Sequence, residues 1–223
     1  MSSPKIRAVV FDLDGLMINT EDVFHMTGTE LLRRRNKIAT KELFALMMGR
    51  RANESFAAMK QFMELEETIE ALATESWQIF DSFLDEHLGL MPGLTDLLDH
   101  IERSGLPKGV ATSSDREYLG RMLGRFGLFD RFQMTLTAED VTHGKPHPEI
   151  YLTAAERIGV APHEMLVLED SEAGTNAAAE AGAHIISVPH AHSEHMDFSR
   201  AKAVASSLAD PKILSLIGSA ATK

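Results

Sequence analysis

The stretch Ala8-Val9-Val10-Phe11-Asp12-Leu13-Asp14-Gly15 decides the fold. Four consecutive apolar residues, two of them β-branched, read as a strand buried on both faces. A parallel sheet covered by helices on each side needs continuous rather than alternating hydrophobicity. The run stops at two carboxylates one residue apart, and Gly15 permits the sharp exit they require. Outward from here the same grammar recurs. Gly109-Val110-Ala111 ends in Thr112-Ser113-Ser114, Met165-Leu166-Val167-Leu168 ends in Glu169-Asp170-Ser171, and Ile185-Ile186-Ser187-Val188 is a further strand-like run.

Helical patterns lie between these runs. Pro92-Gly93 opens one with an apolar face of Leu94, Leu97, Leu98 and Ile101, and Gly105 ends it. Ser114 and Glu117 read as the capping box of another. Pro148 suits the first turn of a third, with Ile150, Ala154 and Ile158 in register and Gly159 as terminator. An alanine-rich helix is expected from Glu172 to Ala181. Strand and helix alternation at this pitch predicts an α/β fold with a doubly wound parallel sheet.

Residues 19–88 break that rhythm. They hold no strand-like run but four helical patterns, Thr20 to Asn36, Thr40 to Met48, Asn53 to Met63 and Thr68 to His87. Gly49 marks one helix end and Asn53 an N-cap. Met26, Met47, Met48, Met59 and Met63 are spaced as adaptable core filler. The expected organisation is an α/β core formed by residues 1–18 and 89–223, with an all-helical lid inserted at 19–88.

Composition bounds the function. The chain has 223 residues, no cysteine and a formal net charge of −11. The absent thiols exclude disulfides, zinc–thiolate sites and cysteine nucleophiles, and fit a reducing cytoplasm. The acidic balance opposes nucleic acid and anionic membranes as partners, and no run approaches the roughly 20 apolar residues of a membrane span. No signal peptide is read at the N-terminus. Arg33-Arg34-Arg35 is the one basic run, and it reads as a solvated helix face. A monomer needs no special explanation.

The polar clusters at three strand ends converge, because the carboxyl ends of strands in an open parallel sheet form the ligand crevice. Asp12, Asp14, Glu169 and Asp170 then share one pocket. Two like charges 4 Å apart repel by about 4 kcal/mol at an effective dielectric near 20, so the cluster needs a cation. All-oxygen ligands favour a hard ion such as Mg²⁺. Lys145, in Gly144-Lys145-Pro146-His147-Pro148, adds a second positive charge on a loop restricted by two prolines. Thr112 and the backbone N–H groups near Ser113 and Ser114 offer a phosphate cradle at a helix N-terminus. A carboxylate, a metal, a lysine and a hydroxyl around one phosphate are what phosphoryl transfer demands.

Asp12-x-Asp14-Gly15, Thr112-Ser113, Lys145 in Gly-Lys-Pro-x-Pro and Glu169-Asp170-Ser171 resemble, in order, the four motifs of the haloacid dehalogenase superfamily. The helical block resembles that superfamily's small cap. Asp14-Gly15-Leu16-Met17 and Leu168-Glu169-Asp170-Ser171 resemble its β-phosphoglucomutase-like group, which includes sugar-phosphate and pseudouridine-phosphate phosphatases. The resemblance implies a Rossmann-like core and a Mg²⁺-dependent phosphatase, with Asp12 forming an aspartyl-phosphate and Asp14 serving as general acid and base. It implies a metal held by Asp12, the Asp14 backbone carbonyl and Asp170, with Glu169 close by. Leu16 and Asn19 depart from the threonine and aspartate of many members, near the expected lid hinge.

The substrate expected is a small phosphorylated metabolite, a sugar phosphate or nucleoside monophosphate. Arg50 and Arg51 are candidate substrate contacts from the lid, and Arg116 and the pair Arg50-Arg51 are candidate grips for a second phosphate. Two other readings share the residues: a β-phosphoglucomutase-like isomerase, and a non-catalytic binding protein that kept the fold. His190, His192 and His195 cluster with loose metal-site spacing, and read as an exposed polar loop.

Overall fold

The opening run is apolar at every position because both of its faces are covered. In the computed structural model, which describes residues 5–47, 50 and 52–218, Ala8–Phe11 form strand β1. Val9 and Phe11 join one buried cluster, and Ala8 and Val10 join another on the opposite side. The other strands are β2 (Lys108–Ala111), β3 (Met134–Leu136), β4 (Met165–Glu169), β5 (His184–Ser187) and β6 (Ala203–Val204). They form one parallel sheet in the order β3-β2-β1-β4-β5-β6. Val10 is flanked by Gly109 and Val167 in register. The order reverses between β1 and β4, so the chains leaving these two strands diverge and open a crevice at their carboxyl ends.

Four helices follow β1: α1 (Thr20–Arg33), α2 (Lys41–Met47), α3 (Ala52–Phe62) and α4 (Ile69–His87). They enclose their own apolar cluster, including Leu31, Leu43, Phe56, Met59 and Leu72. Met59 is fully buried there, and Met47 and Met63 pack against the cluster. The basic run is neutralised by neighbours: Arg33 and Arg34 bond Glu30 at 2.6 and 2.9 Å, and Arg35 bonds Glu67 and Glu75, both at 2.7 Å.

The chain enters and leaves this helical unit side by side. Ile18 bridges Leu90, the Asn19 N–H donates to the Gly89 carbonyl at 3.0 Å, and Gly89 N–H donates to Asn19 Oδ1 at 2.6 Å. Asn19 Nδ2 donates to the His87 carbonyl at 3.1 Å. An aspartate at this position has no donor for that last bond, which gives the departure at Asn19 a physical reason.

The sheet's two faces are covered by α5 (Leu94–Ser104) and α6 (Arg116–Arg125) on one side, and by α7 (Glu149–Ile158) and α8 (Glu172–Glu180) on the other. The short α9 (Pro211–Leu214) packs with the first pair through Ile213. Gly105 and Gly159 end their helices in left-handed conformation, as expected. Among the described residues, no helix is long and apolar enough to cross a membrane.

Several local expectations are corrected. Asp115, not Ser114, caps α6, accepting the Tyr118 N–H at 2.8 Å, because the Ser114 hydroxyl is turned to Asp14. Asn53 lies within α3 and is not its N-cap. The first helix stops at Arg33, short of Asn36, whose φ of 53° leaves the helical region. Gly49 lies outside the described residues. Strands β3 and β6 were not read from the sequence.

Candidate active site

Asp12 leaves the end of β1 with its N–H donated to the Leu168 carbonyl at 3.0 Å, still pinned to β4. Its Oδ1 accepts Lys145 Nζ at 2.5 Å. The same ammonium reaches Glu169 Oε1 at 2.6 Å and the Ala111 carbonyl at 3.1 Å. One lysine thus ties the ends of β1, β2 and β4 together, and its side chain is only 2% exposed. Burial alone would lower the Lys145 amine, but attraction from Asp12 and Glu169 outweighs it and holds the amine well above its ordinary value.

Glu169 is fully enclosed and its acceptors are already engaged. Oε1 also accepts the Tyr151 hydroxyl at 2.7 Å, and Oε2 accepts the Asp170 N–H, the Ser171 N–H and the Ser171 hydroxyl at 3.1, 3.2 and 3.0 Å. Gly174 makes this position possible, since a Cβ there would meet Glu169 Oε1 at 1.7 Å. Glu169 therefore acts on the cluster mainly through Lys145 and Asp170.

Asp170 sits opposite, with Oδ2 2.9 Å from His190 Nε2. A Cβ at Gly15 would lie 2.3 Å from Asp170 Oδ2, so the glycine, at φ +77°, admits this carboxylate to the site. Carboxylate oxygens of Asp12, Glu169 and Asp170 all lie within 4.8 Å of one another. Burial first, then the neighbouring carboxylates, push Asp12 and Asp170 well above their ordinary values, with Lys145 opposing. When all three carboxyls are ionised, one ammonium leaves two negative charges unbalanced. That deficit, with oxygen donors, fits a hard divalent cation.

Asp14 faces the other way. Oδ2 accepts the hydroxyls of Ser114 at 2.8 Å and Thr112 at 3.2 Å, and Oδ1 accepts the Tyr118 hydroxyl at 2.8 Å. Its side chain is outside the three-carboxylate cluster. Thr112 also accepts the Ser114 N–H at 3.0 Å, which folds the turn after β2 against Asp14. Asp12, Asp14, Thr112, Ser113, Lys145 and Asp170 line one cavity of about 350 Å³. Its far wall comes from the helical unit: Phe24, Phe44, Phe56, Met59 and Trp77, with Arg50 and Asn53 among the polar groups.

Arg116 corrects an expectation. It is not among the residues lining this cavity, and its guanidinium is paired with Asp140 at 2.7 Å and Glu139 at 3.5 Å. Arg51 lies outside the described residues. His190 is drawn onto Asp170, and burial lowers its pKa despite the nearby Glu21 and Asp22. His192 Nε2 bonds Asp22 at 2.8 Å and its ring stacks on His25 at 4.5 Å, across the junction with the helical unit.

Sequence reading missed Tyr118, Tyr151 and Glu21. The chain has two tyrosines, and each gives its hydroxyl to a site carboxylate. A buried tyrosine hydroxyl needs a partner, and Tyr151 falls on the predicted buried face of α7, so that signal was available. Glu21 lines the cavity, where burial first, then Asp170 and Asp14, push its carboxyl up to about 8.

Hexitol phosphatase A of Escherichia coli strain K12 is 30% identical over 186 residues, covering 82% of this chain and 83% of that protein. The phosphorylated carbohydrates phosphatase of Thermotoga maritima is 29% identical over 181 residues, covering 79% and 82%. The crystal structure of β-phosphoglucomutase from Clostridium difficile superposes with a TM-score of 0.77 at 25% identity, covering 91% and 92%. The family profile of the haloacid dehalogenase-like hydrolases matches residues 9–188, a span that holds every carboxylate and the lysine just described, and the chain belongs to that family.

Proposed function

We propose that the chain is a Mg²⁺-dependent phosphatase that hydrolyses a small phosphate monoester through an aspartyl-phosphate on Asp12. The observation that carries the reading is the buried Lys145 bridging Asp12 and Glu169, at 2.5 and 2.6 Å, beside a second aspartate held by three hydroxyls. Lys145 and its partners fix Asp12 through Oδ1, and among the described residues none hydrogen-bonds its other oxygen. That oxygen is free to attack phosphorus. As the new O–P bond forms, the bond to the leaving oxygen breaks, and Asp14 supplies that oxygen with a proton. A water then attacks the phosphoaspartate, giving its proton to Asp14, and inorganic phosphate leaves Asp12. Hydroxyls suit Asp14 in either protonation state, since they can donate or accept.

Mg²⁺ would be held by Asp12, Asp170 and the Asp14 backbone carbonyl, with Glu169 behind them, and when bound would neutralise charge on the transferring phosphoryl group. Thr112 and Ser113 would cradle that group. Lys145, whose three N–H groups are held by Asp12, Glu169 and the Ala111 carbonyl, would bind it through its positive charge or by exchanging one of those bonds. Residues 19–88 serve as the cap, excluding water from the phosphoaspartate. Relatives named for phosphorylated carbohydrates and hexitols support a small phosphorylated metabolite. The aromatic far wall favours a substrate whose body presents an apolar face, with Arg50 reading its polar end. The proposed setting is a monomer in a reducing cytoplasm.

The mutase reading is supported by the fold's likeness to β-phosphoglucomutase. It requires a cationic grip on a second phosphate. Arg116 is committed to Asp140 and Glu139, which leaves Arg50 as the cavity-lining arginine among the described residues, and Asp115 in the same cavity would repel a second phosphate, so charge complementarity favours hydrolysis. Incubation with a panel of phosphate esters, β-glucose 1-phosphate plus its bisphosphate among them, tests both. Stoichiometric phosphate release, a phosphoenzyme lost in Asp12→Asn and full chelator sensitivity are expected. Conversion to glucose 6-phosphate without phosphate release overturns the phosphatase reading.

A further inference from the structure

We infer that His143, His147 and Glu149 form a second cation site, selective for zinc-class ions, on the loop that carries Lys145. His143 and His147 stand two residues either side of Lys145, yet point away from the cavity that Lys145 serves. His143 Nδ1 lies 3.0 Å from Glu149 Oε2, and His147 Nδ1 lies 3.9 Å from the same oxygen. One ligand atom from each of the three residues falls within 4.8 Å of the others. Around a tetrahedral Zn²⁺ with bonds near 2.0–2.1 Å, neighbouring ligand atoms are about 3.3 Å apart, so the observed separations need only small side-chain shifts. The two imidazoles already face each other, their centroids 4.6 Å apart and their planes tilted by 35°.

The carboxylate is held in place for this role. Glu149 Oε1 accepts the Thr142 N–H at 2.8 Å, and Oε2 accepts the His143 N–H at 2.9 Å. Such outer bonds orient ligating carboxylates in metal sites. An ion between His143 Nδ1 and Glu149 Oε2 replaces the hydrogen bond they share. At His147 it displaces only a long contact from the Glu149 N–H, 3.3 Å. Glu54 of the helical unit and Glu180 of α8 line the same cleft and add a negative field. Two nitrogens and one oxygen suit Zn²⁺, Co²⁺, Ni²⁺ or Cu²⁺ and disfavour Mg²⁺, which keeps to oxygen. The two centres therefore select different ions. The second clamps both ends of the catalytic lysine's loop without using a catalytic group.

The test is titration of the chelator-stripped protein with Co²⁺, followed by its visible absorption, with Mg²⁺ in large excess to hold the carboxylate centre. Zn²⁺ competition should then abolish the signal. The wild-type chain should bind one Co²⁺ with nitrogen-ligand absorption. His143→Ala and His147→Ala should each weaken binding at least tenfold while keeping Mg²⁺-dependent phosphate release, which certifies the fold. His192→Ala, at the separate histidine cluster, should leave binding unchanged. The inference is overturned if wild-type protein binds no Co²⁺ below millimolar concentrations, or if both loop variants bind it like wild type. Loss in His192→Ala alone would assign the site elsewhere.

Discussion

Tyr118→Phe removes one oxygen and keeps the ring. The ring stacks on Phe24 at 6.2 Å and contacts Trp77 at 5.7 Å, so packing between α6 and the helical unit survives. What disappears is the 2.8 Å hydrogen bond to Asp14 Oδ1. A hydrogen bond to a charged group contributes about 1.5–3 kcal/mol. At 1.36 kcal/mol per decade of rate, losing it from the transition state alone would slow turnover by roughly 10- to 100-fold. Ser114 and Thr112 still hold Oδ2, which limits the misorientation of Asp14, and the expected fall in kcat is about tenfold. KM should barely change, and the Mg²⁺ concentration giving half-maximal rate should stay put, because Asp12 and Asp170 are untouched. The assay is initial-rate phosphate release across substrate and Mg²⁺ concentrations, with Asp14→Asn, expected to lose about 10²–10⁴, as reference. An unchanged kcat, or a loss confined to KM while Asp14→Asn is crippled, would refute the positioning of Asp14 by Tyr118.

Three further outcomes follow from the same site. Asp170→Asn removes a carboxylate from an overcharged cluster; it should raise the melting temperature of the metal-free protein and abolish the stabilisation that Mg²⁺ gives the wild type, both read by thermal unfolding with and without chelator. Glu21 tests the pH dependence: its folded value of about 8 lies above the ordinary 4.5, so its contribution to stability is full below about 4.5 and is lost as pH rises through about 8. In chelator, the advantage of Glu21→Gln over wild type should therefore grow between those limits and then level off, and a pH-independent difference in denaturant midpoints would contradict this. Arg50→Ala should raise KM for substrates with a polar group remote from the phosphate while sparing a small generic ester; equal loss on both would indicate a folding defect instead.

The sheet's central strands were legible because β1 and β4 carry apolar runs buried on both faces, and β2 and β5 contain the shorter buried runs Gly109-Val110-Ala111 and Ile185-Ile186. β3 was not, because its three residues include the half-exposed Thr135, nor was the two-residue β6 at the sheet edge. The carboxylates and Lys145 were readable as polar breaks at strand ends. Their roles were not, since Asp12 and Asp14 differ only in which way the side chain turns, and that is set by Lys145 on one side and by Ser114, Thr112 and Tyr118 on the other. Ser114 illustrates the limit: its spacing to Glu117 imitates a helix cap, and only the tertiary position of Asp14 claims its hydroxyl. Arg116 failed similarly, drawn off by Asp140 and Glu139, residues more than twenty positions away that no local pattern connects to it.

The doorway at Asn19 has an evolutionary corollary. The segment between β1 and β2 departs and returns through adjacent backbone, fastened by Asn19 to His87 and Gly89 and by Ile18 to Leu90. Because its two ends already meet, adding or deleting residues in the middle changes closure entropy only logarithmically. The sheet therefore presents a constant socket, and a helical module of another length or sequence can be plugged into it without shifting the pairing of Val10 with Gly109. On the proposed function, substrate selectivity is then free to change in that module without displacing the carboxylates at the strand ends.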